Sequence, residues 1–104
     1  MIRFFKFLFG LGTSSKKLQD LLEKGAIVID VRTPREFNEN HTENSINIPL
    51  QKLTTQLEVL KQKRMPVILC CRNGARSFFA QTELEKAGIE CMNAGSWKNL
   101  KNLS

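Results

Sequence analysis

The segment 67–77 carries the residue types that could do chemistry. It reads Val-Ile-Leu-Cys-Cys-Arg-Asn-Gly-Ala-Arg-Ser, and its apolar run predicts a short buried strand that ends at the cysteines. From Ser77 to Gly88 the pattern becomes helical, with Gly88 at the C-cap position. A strand, a tight loop and a helix in succession direct loop amides and the positive end of the helix toward the loop's centre. The segment therefore predicts an anion-binding loop with a thiol at its start.

A cysteine at the start of such a loop is a candidate nucleophile, because inward N–H groups, the helix dipole and two arginines favour its thiolate. Counting from Cys71 gives the motif C-x-x-G-x-R-S. Counting from Cys70 gives the spacing of cysteine-dependent phosphatases, but Asn73 and Leu69 then stand where those enzymes usually have glycine and histidine. We therefore expect Cys71 to be the nucleophile. The residues expected to bind the anion are those of the loop that follows: Arg72, Asn73, Gly74, Ala75, Arg76 and Ser77.

The loop Cys71–Ser77 resembles the active-site loop of single-domain rhodaneses, which are sulfurtransferases. Three further segments, in the same order along the chain, resemble other rhodanese signatures. They are Ile29–Phe37, with Asp-Val-Arg and Glu-Phe, Asn40–Pro49, with Ile-Asn-Ile-Pro, and Ala94–Trp97, with Gly and Trp. The resemblance covers roughly residues 14 to 103.

The resemblance implies a double displacement. The thiolate of Cys71 would take a sulfane sulfur from thiosulfate, or from a protein or low-molecular-weight persulfide, and pass it to a thiophilic acceptor without a metal or an organic cofactor. A small anionic sulfur donor and a sulfur-relay protein are the partners that it implies. Two other classes stay open: a non-catalytic rhodanese-like binding or sensor module, and a Cys-dependent phosphatase or arsenate reductase that acts through Cys70.

The remaining pattern predicts an α/β domain. Continuous apolar runs at 26–31 and 67–69 indicate strands that are covered on both faces, as in a parallel sheet. Rhodanese resemblance adds a three-layer α/β/α arrangement with a mostly parallel sheet of about five strands. Ligands of such sheets bind beyond the carboxyl ends of the strands. At that rim we expect a supporting network of Asp30, Arg32 and Glu36.

Local signals predict where the helices begin and end. Segment 13–15, Thr-Ser-Ser, offers N-caps for a helix that Gly25 ends. Segment 33–36, Thr-Pro-Arg-Glu, is a capping box with proline at the first helical position. Leucines at helical spacing in segment 50–60 predict a further helix that ends in a basic turn.

Composition bounds the function further. The chain of 104 residues suits one domain, which we assign to residues 14–103. Its three cysteines are an odd number and two are adjacent, so they predict no disulfide framework and favour a reducing, cytoplasmic location. The net charge of +6 comes without a basic run or an aromatic ladder, which argues against nucleic acid and suits small anionic substrates.

Residues 1–13 form a hydrophobic and basic extension. Four of the seven phenylalanines of the chain lie in residues 1–12, interrupted by Arg3 and Lys6. The apolar stretch is too short for a membrane span and lacks the features of a typical signal peptide. We expect it to dock on the domain or on a partner, or to fray. Contact with a membrane surface and an atypical export signal are the alternatives.

Overall fold

The computed structural model of this protein describes residues 11–101. Helices and strands alternate along this part of the chain. In chain order they are helix α1 Leu11–Glu23, strand β1 Ile27–Asp30, helix α2 Pro34–Glu39, strand β2 Ile46–Asn47, a first 3-10 helix Leu50–Gln56, helix α3 Leu57–Lys63, strand β3 Val67–Cys71, helix α4 Ala75–Lys86, strand β4 Cys91–Ser96 and a second 3-10 helix Trp97–Leu100. The predicted docking of residues 1–12 falls almost entirely outside the described residues and stays a prediction.

The strands form one sheet in the order β2-β1-β3-β4, and each neighbouring pair is parallel. This arrangement confirms the predicted α/β class. Across residues 11–101 the sheet has four strands, so the expected number of about five was too high. The fifth strand was expected from the family resemblance alone, and the described chain before β1 folds as the helix α1.

Strand β3 divides the core in two, because alternate side chains of a strand point to opposite faces of a sheet. Val67, Leu69 and Cys71 lie in the cluster covered by α3, α4 and the first 3-10 helix. Ile68 and Cys70 lie in the cluster covered by α1 and the second 3-10 helix. Both faces of the sheet are therefore buried, as the continuous apolar runs predicted, and the three-layer arrangement is confirmed.

Several predicted helix limits were wrong. Helix α1 begins at Leu11, so segment 13–15 lies inside the helix and does not cap it. The helix passes through Gly12, which is tolerable because one glycine in a helix costs only about 1 kcal/mol relative to alanine. The predicted helix over 50–60 is split, since its first part is a 3-10 helix. There the hydroxyl of Thr55 donates to the carbonyl of Lys52 (2.6 Å), and such local bonds compete with α-helical pairing.

The capping box at α2 is confirmed. The backbone N–H of Glu36 donates to Thr33 Oγ1 (3.2 Å), and the N–H of Thr33 donates back to Glu36 Oε1 (3.0 Å). Pro34 takes the first helical position, where its missing N–H has no intrahelical partner to lose. Helix α2 therefore begins at a fixed place beside the rim, and this fixes the position of Glu36.

Candidate active site

The chain turns sharply between β3 and α4. Strand β3 ends at Cys71, and α4 begins only four residues later, at Ala75. Gly74 caps the helix with φ of 96°, a left-handed conformation that residues with a Cβ rarely adopt. A Cβ at this position would also lie 3.3 Å from the Cα of Gly95. Glycine is therefore required both by the turn and by the close approach of β4.

Two N–H donors and one hydroxyl group surround the sulfur of Cys71. The backbone N–H of Gly74 donates to Sγ at 3.0 Å and that of Ser77 at 3.4 Å, while the Ser77 hydroxyl oxygen lies 3.3 Å away. Burial raises the pKa of Cys71, but hydrogen bonds from the Ser77 hydroxyl and from the N–H groups of Ser77, Asn73 and Gly74 outweigh it, so the pKa is lowered. The thiolate is thus favoured by a ring of donors.

The other two cysteines show the opposite shift. Burial raises the pKa of Cys70 to about 12, and Asp30 adds to the effect. Burial also raises the pKa of Cys91 to about 11. Among the three free thiols, Cys71 is therefore the one whose surroundings lower the pKa and favour the thiolate.

The first of two arginine–carboxylate pairs is buried. Arg32 donates from Nε and Nη2 to the carboxylate of Asp30, at 2.8 to 3.0 Å, and its backbone N–H adds a bond of 3.0 Å. Nη2 also donates to the carbonyl of Asn40 (2.7 Å), and the guanidinium lies over the ring of Trp97 at 4.9 Å. Asp30 has no exposed surface and Arg32 only 5%. This pair joins β1 to the loop after α2 and to the second 3-10 helix, so it supports the rim from inside.

The second pair lies at the rim itself. Arg76 donates from Nη1 and Nη2 to the two carboxylate oxygens of Glu36, at 2.7 and 3.0 Å. These bonds, followed by the capping bond from Thr33, lower the pKa of Glu36 to about 2. The hydrogen bonds of the loop act more strongly on the pKa of Cys71 than Arg76 does, although the charges of Arg76 and Cys71 do interact. The sequence predicted that the two arginines lower the pKa of Cys71, whereas in the structure hydrogen bonds from the loop are the main groups that lower it.

The structure also places the remaining predicted loop residues. Asn73 Oδ1 accepts from the N–H of Ala75 (3.0 Å), which stabilises the start of α4 and leaves both side chains exposed. Arg72 is exposed and makes no ion pair with any residue that the structure describes. It lines an open cleft of about 430 Å³ together with Trp97 and Lys98. Of the two loop arginines, Arg72 is the one whose charge stays available to an anion.

Sequence reasoning missed Asn93, a residue of β4. Its Nδ2 donates to the carbonyl of Gly74 (3.0 Å), and its Oδ1 accepts from the N–H of Gly95 (2.8 Å) and from the hydroxyl of Ser77 (2.6 Å). Asn93 therefore contacts two of the residues that bond to Cys71. Asn93 directly precedes the segment Ala94–Trp97, but the resemblance of that segment gave residue 93 no role, so only the placement of β4 beside β3 reveals it.

The lone histidine of the chain lies elsewhere. His41 stacks on Phe37 with ring centroids 3.7 Å apart, and its Nδ1 is 2.7 Å from the carbonyl of Phe37. Across the described residues no group of three or more potential metal ligands occurs. Within the same range, no helix has the length and apolar character needed to cross a membrane.

Comparison with known proteins identifies the class. The family model for the rhodanese-like domain matches residues 14–103. The chain therefore belongs to the rhodanese-like domain family.

Individual relatives are similar at a lower level. The chain is 34% identical to Thiosulfate sulfurtransferase 16, chloroplastic, from Arabidopsis thaliana, over 67% of the chain and 68% of that protein. It is 32% identical to Senescence-associated protein DIN1 from Raphanus sativus, over 68% of the chain, but it spans only 45% of that longer protein. Among solved structures, a rhodanese with anions from E. coli matches with a TM-score of 0.65 and 30% identity, over 71% of this chain and 89% of the other.

Proposed function

We propose that this domain is a sulfurtransferase that carries sulfane sulfur on Cys71. The observation that supports this most is the ring of donors around Sγ, formed by the N–H groups of Gly74 and Ser77 and by the Ser77 hydroxyl. Donors that stabilise a thiolate also stabilise the terminal anion of a persulfide. The family of the chain and the thiosulfate sulfurtransferases among its relatives agree with this chemistry.

The proposed reaction has two displacements. The Cys71 thiolate attacks the outer sulfur of thiosulfate, the S–S bond of thiosulfate breaks, and sulfite leaves with the electron pair. A nucleophilic acceptor then attacks the outer sulfur of the persulfide, and Cys71 leaves as thiolate. With cyanide as acceptor the product is thiocyanate. Arg72 is the cation that would meet the incoming anionic donor, since Arg76 is paired with Glu36.

The free thiols fit a reducing compartment, so we place the protein in the cytoplasm. A protein persulfide is an alternative donor, and a sulfur-relay protein is the partner that this donor would require. Access to the sulfur needs a change at the rim, because Cys71 has no exposed surface in this conformation.

A non-catalytic binding module is the second candidate. The buried state of Cys71 favours it, because a module that only recognises a partner needs no accessible thiol. The phosphatase alternative has less support, since its nucleophile would be Cys70, whose pKa is raised to about 12. That thiol would be protonated at neutral pH, and it lies on the face of the sheet covered by α1, opposite the face on which Cys71 lies.

The deciding experiment is thiosulfate-dependent formation of thiocyanate from cyanide. We expect turnover in the parent and in Cys70→Ser, and none in Cys71→Ser. Aryl-phosphate hydrolysis is measured on the same three proteins and should be negligible in all of them. Turnover that survives Cys71→Ser would contradict the sulfurtransferase, and a parent that is folded yet inactive with both thiosulfate and persulfide donors would favour the binding module.

A further inference from the structure

The carboxamide of Asn93 links three parts of the site. It joins its own strand β4 through the N–H of Gly95, the loop through the carbonyl of Gly74, and helix α4 through the hydroxyl of Ser77. The two backbone partners fix which way the carboxamide points. An N–H can only donate and a carbonyl can only accept, so Oδ1 must face Gly95 and Nδ2 must face Gly74. Ser77, which lies against Oδ1, must therefore act as the donor.

This assignment determines what Ser77 offers to the sulfur. A serine hydroxyl has a single proton. If that proton lies in the 2.6 Å bond to Asn93, only a lone pair of Ser77 Oγ faces Cys71 Sγ, 3.3 Å away. In the thiol form the S–H of Cys71 is then the donor to Ser77. In the thiolate form the Ser77 hydroxyl must turn to donate to the sulfur, and Asn93 Oδ1 keeps only the bond from Gly95.

We infer that Asn93 is a positioning residue for Cys71. Its carboxamide oxygen holds the hydroxyl proton of Ser77 away from the sulfur until the thiolate forms. By accepting the hydrogen bond from this hydroxyl, Asn93 stabilises the thiol form, because deprotonation of Cys71 costs the bond between Ser77 and Asn93. The inference deepens the proposed function, since it concerns the same nucleophile. It assigns a role to a residue of β4, outside the loop motif.

Other charged and titratable groups face Cys71 and must be separated from this effect. From α4, Arg76 faces the sulfur, and its partner Glu36 has a pKa of about 2. From β3, Cys70 has a pKa raised to about 12. From the end of β1, Asp30 is paired with Arg32, and the charges of both act on Cys70. Glu36 and Cys70 titrate outside a window of about pH 5 to 10, so a midpoint for Cys71 alkylation inside it reports Cys71 itself.

The test is the rate of alkylation of Cys71 by iodoacetamide as a function of pH, followed by peptide mapping of the full chain. Asn93→Ala should lower the midpoint by about half to one pH unit, the size of one net hydrogen bond. Ser77→Ala should raise it by a similar amount, because the thiolate loses a donor. The double variant should match Ser77→Ala alone, since Asn93 acts through Ser77.

A midpoint that rises or stays unchanged in Asn93→Ala would overturn the inference. So would a shift that persists in the Ser77→Ala background, because Asn93 would then act through the carbonyl of Gly74. Should Asn93→Ala fail to fold, Asn93→Leu keeps most of the side-chain volume without the acceptor and should show the same lowered midpoint. An unchanged midpoint in a folded Asn93→Leu protein would equally overturn the inference.

Asn99 supplies a matched control. Its Nδ2 donates to the carbonyl of Ala94 (2.7 Å), so it also anchors β4, and its side chain makes no hydrogen bond to Ser77 or Cys71 among the described residues. Asn99→Ala should lose some thermal stability and leave the midpoint in place. A midpoint shifted as far as in Asn93→Ala would show a merely structural effect and contradict the inference. Alkylation needs no sulfur donor, so this test is independent of whether the protein proves to be a sulfurtransferase.

Discussion

Cys70 and Cys71 are neighbours in the chain, and neither has any exposed surface. Their pKa values nevertheless shift in opposite directions. Cys70 lies in the core cluster under α1, where burial dominates, whereas Cys71 faces α4 and accepts bonds from Gly74 and Ser77. Hydrogen-bond donors, rather than exposure, therefore set the direction in which each pKa shifts. One step along a strand is enough to exchange the two environments.

The largest expected effect is the difference in reactivity between these two thiols. The pKa of Cys70 is about 12 and that of Cys71 lies below its usual value of 9.0, a gap of more than three units. Since each unit is tenfold, Cys71 should carry at least about a thousand times more thiolate at neutral pH. Iodoacetamide followed by peptide mapping measures the ratio of modification rates. Comparable rates in the folded protein would contradict the assigned environments.

A second comparison concerns the two arginine–carboxylate pairs. The side chains of Arg32 and Asp30 are 6% and 0% exposed, whereas those of Arg76 and Glu36 are 35% and 30% exposed. Arg32→Met leaves a buried carboxylate without a partner, so we expect the free energy of unfolding to fall by about 3 to 5 kcal/mol. The matched variant Arg76→Met should lose at most about 1 kcal/mol, because solvent screens a pair at the surface. Urea denaturation measures both, and equal losses would show that burial does not separate the pairs.

Two glycines with positive φ, Gly74 in the active-site loop and Gly88 after α4, allow the effect of the lost donor to be separated from backbone strain. Gly74→Ala should destabilise the protein by about 1 to 2 kcal/mol and slow the alkylation of Cys71, because the displaced N–H no longer donates to the sulfur. Gly88 is the matched control, since its φ is also positive but a Cβ there would meet nothing within 4 Å. Gly88→Ala should cost a similar amount of stability and leave the alkylation rate unchanged. A slower rate in both variants would point to general loosening rather than to the lost donor.

The smallest expected effect is a pH dependence from the rim. The pKa of Glu36 falls from 4.5 to about 2 on folding, so its contribution to stability is complete above about pH 4.5 and is lost as the pH falls toward 2. The contribution is about 1 kcal/mol, because the pair with Arg76 is partly exposed. Glu36→Gln should therefore be less stable than the parent at neutral pH and equally stable near pH 2. A difference that stays constant with pH would contradict this account.

The sequence predicted the parts of the site that depend on local chemistry. The Cys71–Ser77 loop was recognisable because its glycine and its helix start lie within a few residues, and the capping box of Glu36 was readable for the same reason. The pairing of Arg76 with Glu36 could not be predicted in the same way, because the two residues lie 40 positions apart and meet only in the folded rim. Asn93 was missed on the same ground. Over residues 11–101 the sheet has four strands, and the fifth had been expected from the family resemblance rather than from the residues.

We propose that Cys71 alone carries the transferred sulfur. The most direct measurement is mass analysis of peptides after treatment with thiosulfate, repeated after cyanide is added. We expect one added sulfur on the peptide that begins the loop, located at Cys71 and removed by cyanide, with none in Cys71→Ser and the full amount in Cys70→Ser. An added sulfur on Cys70 or Cys91, or one that cyanide fails to remove, would contradict the account.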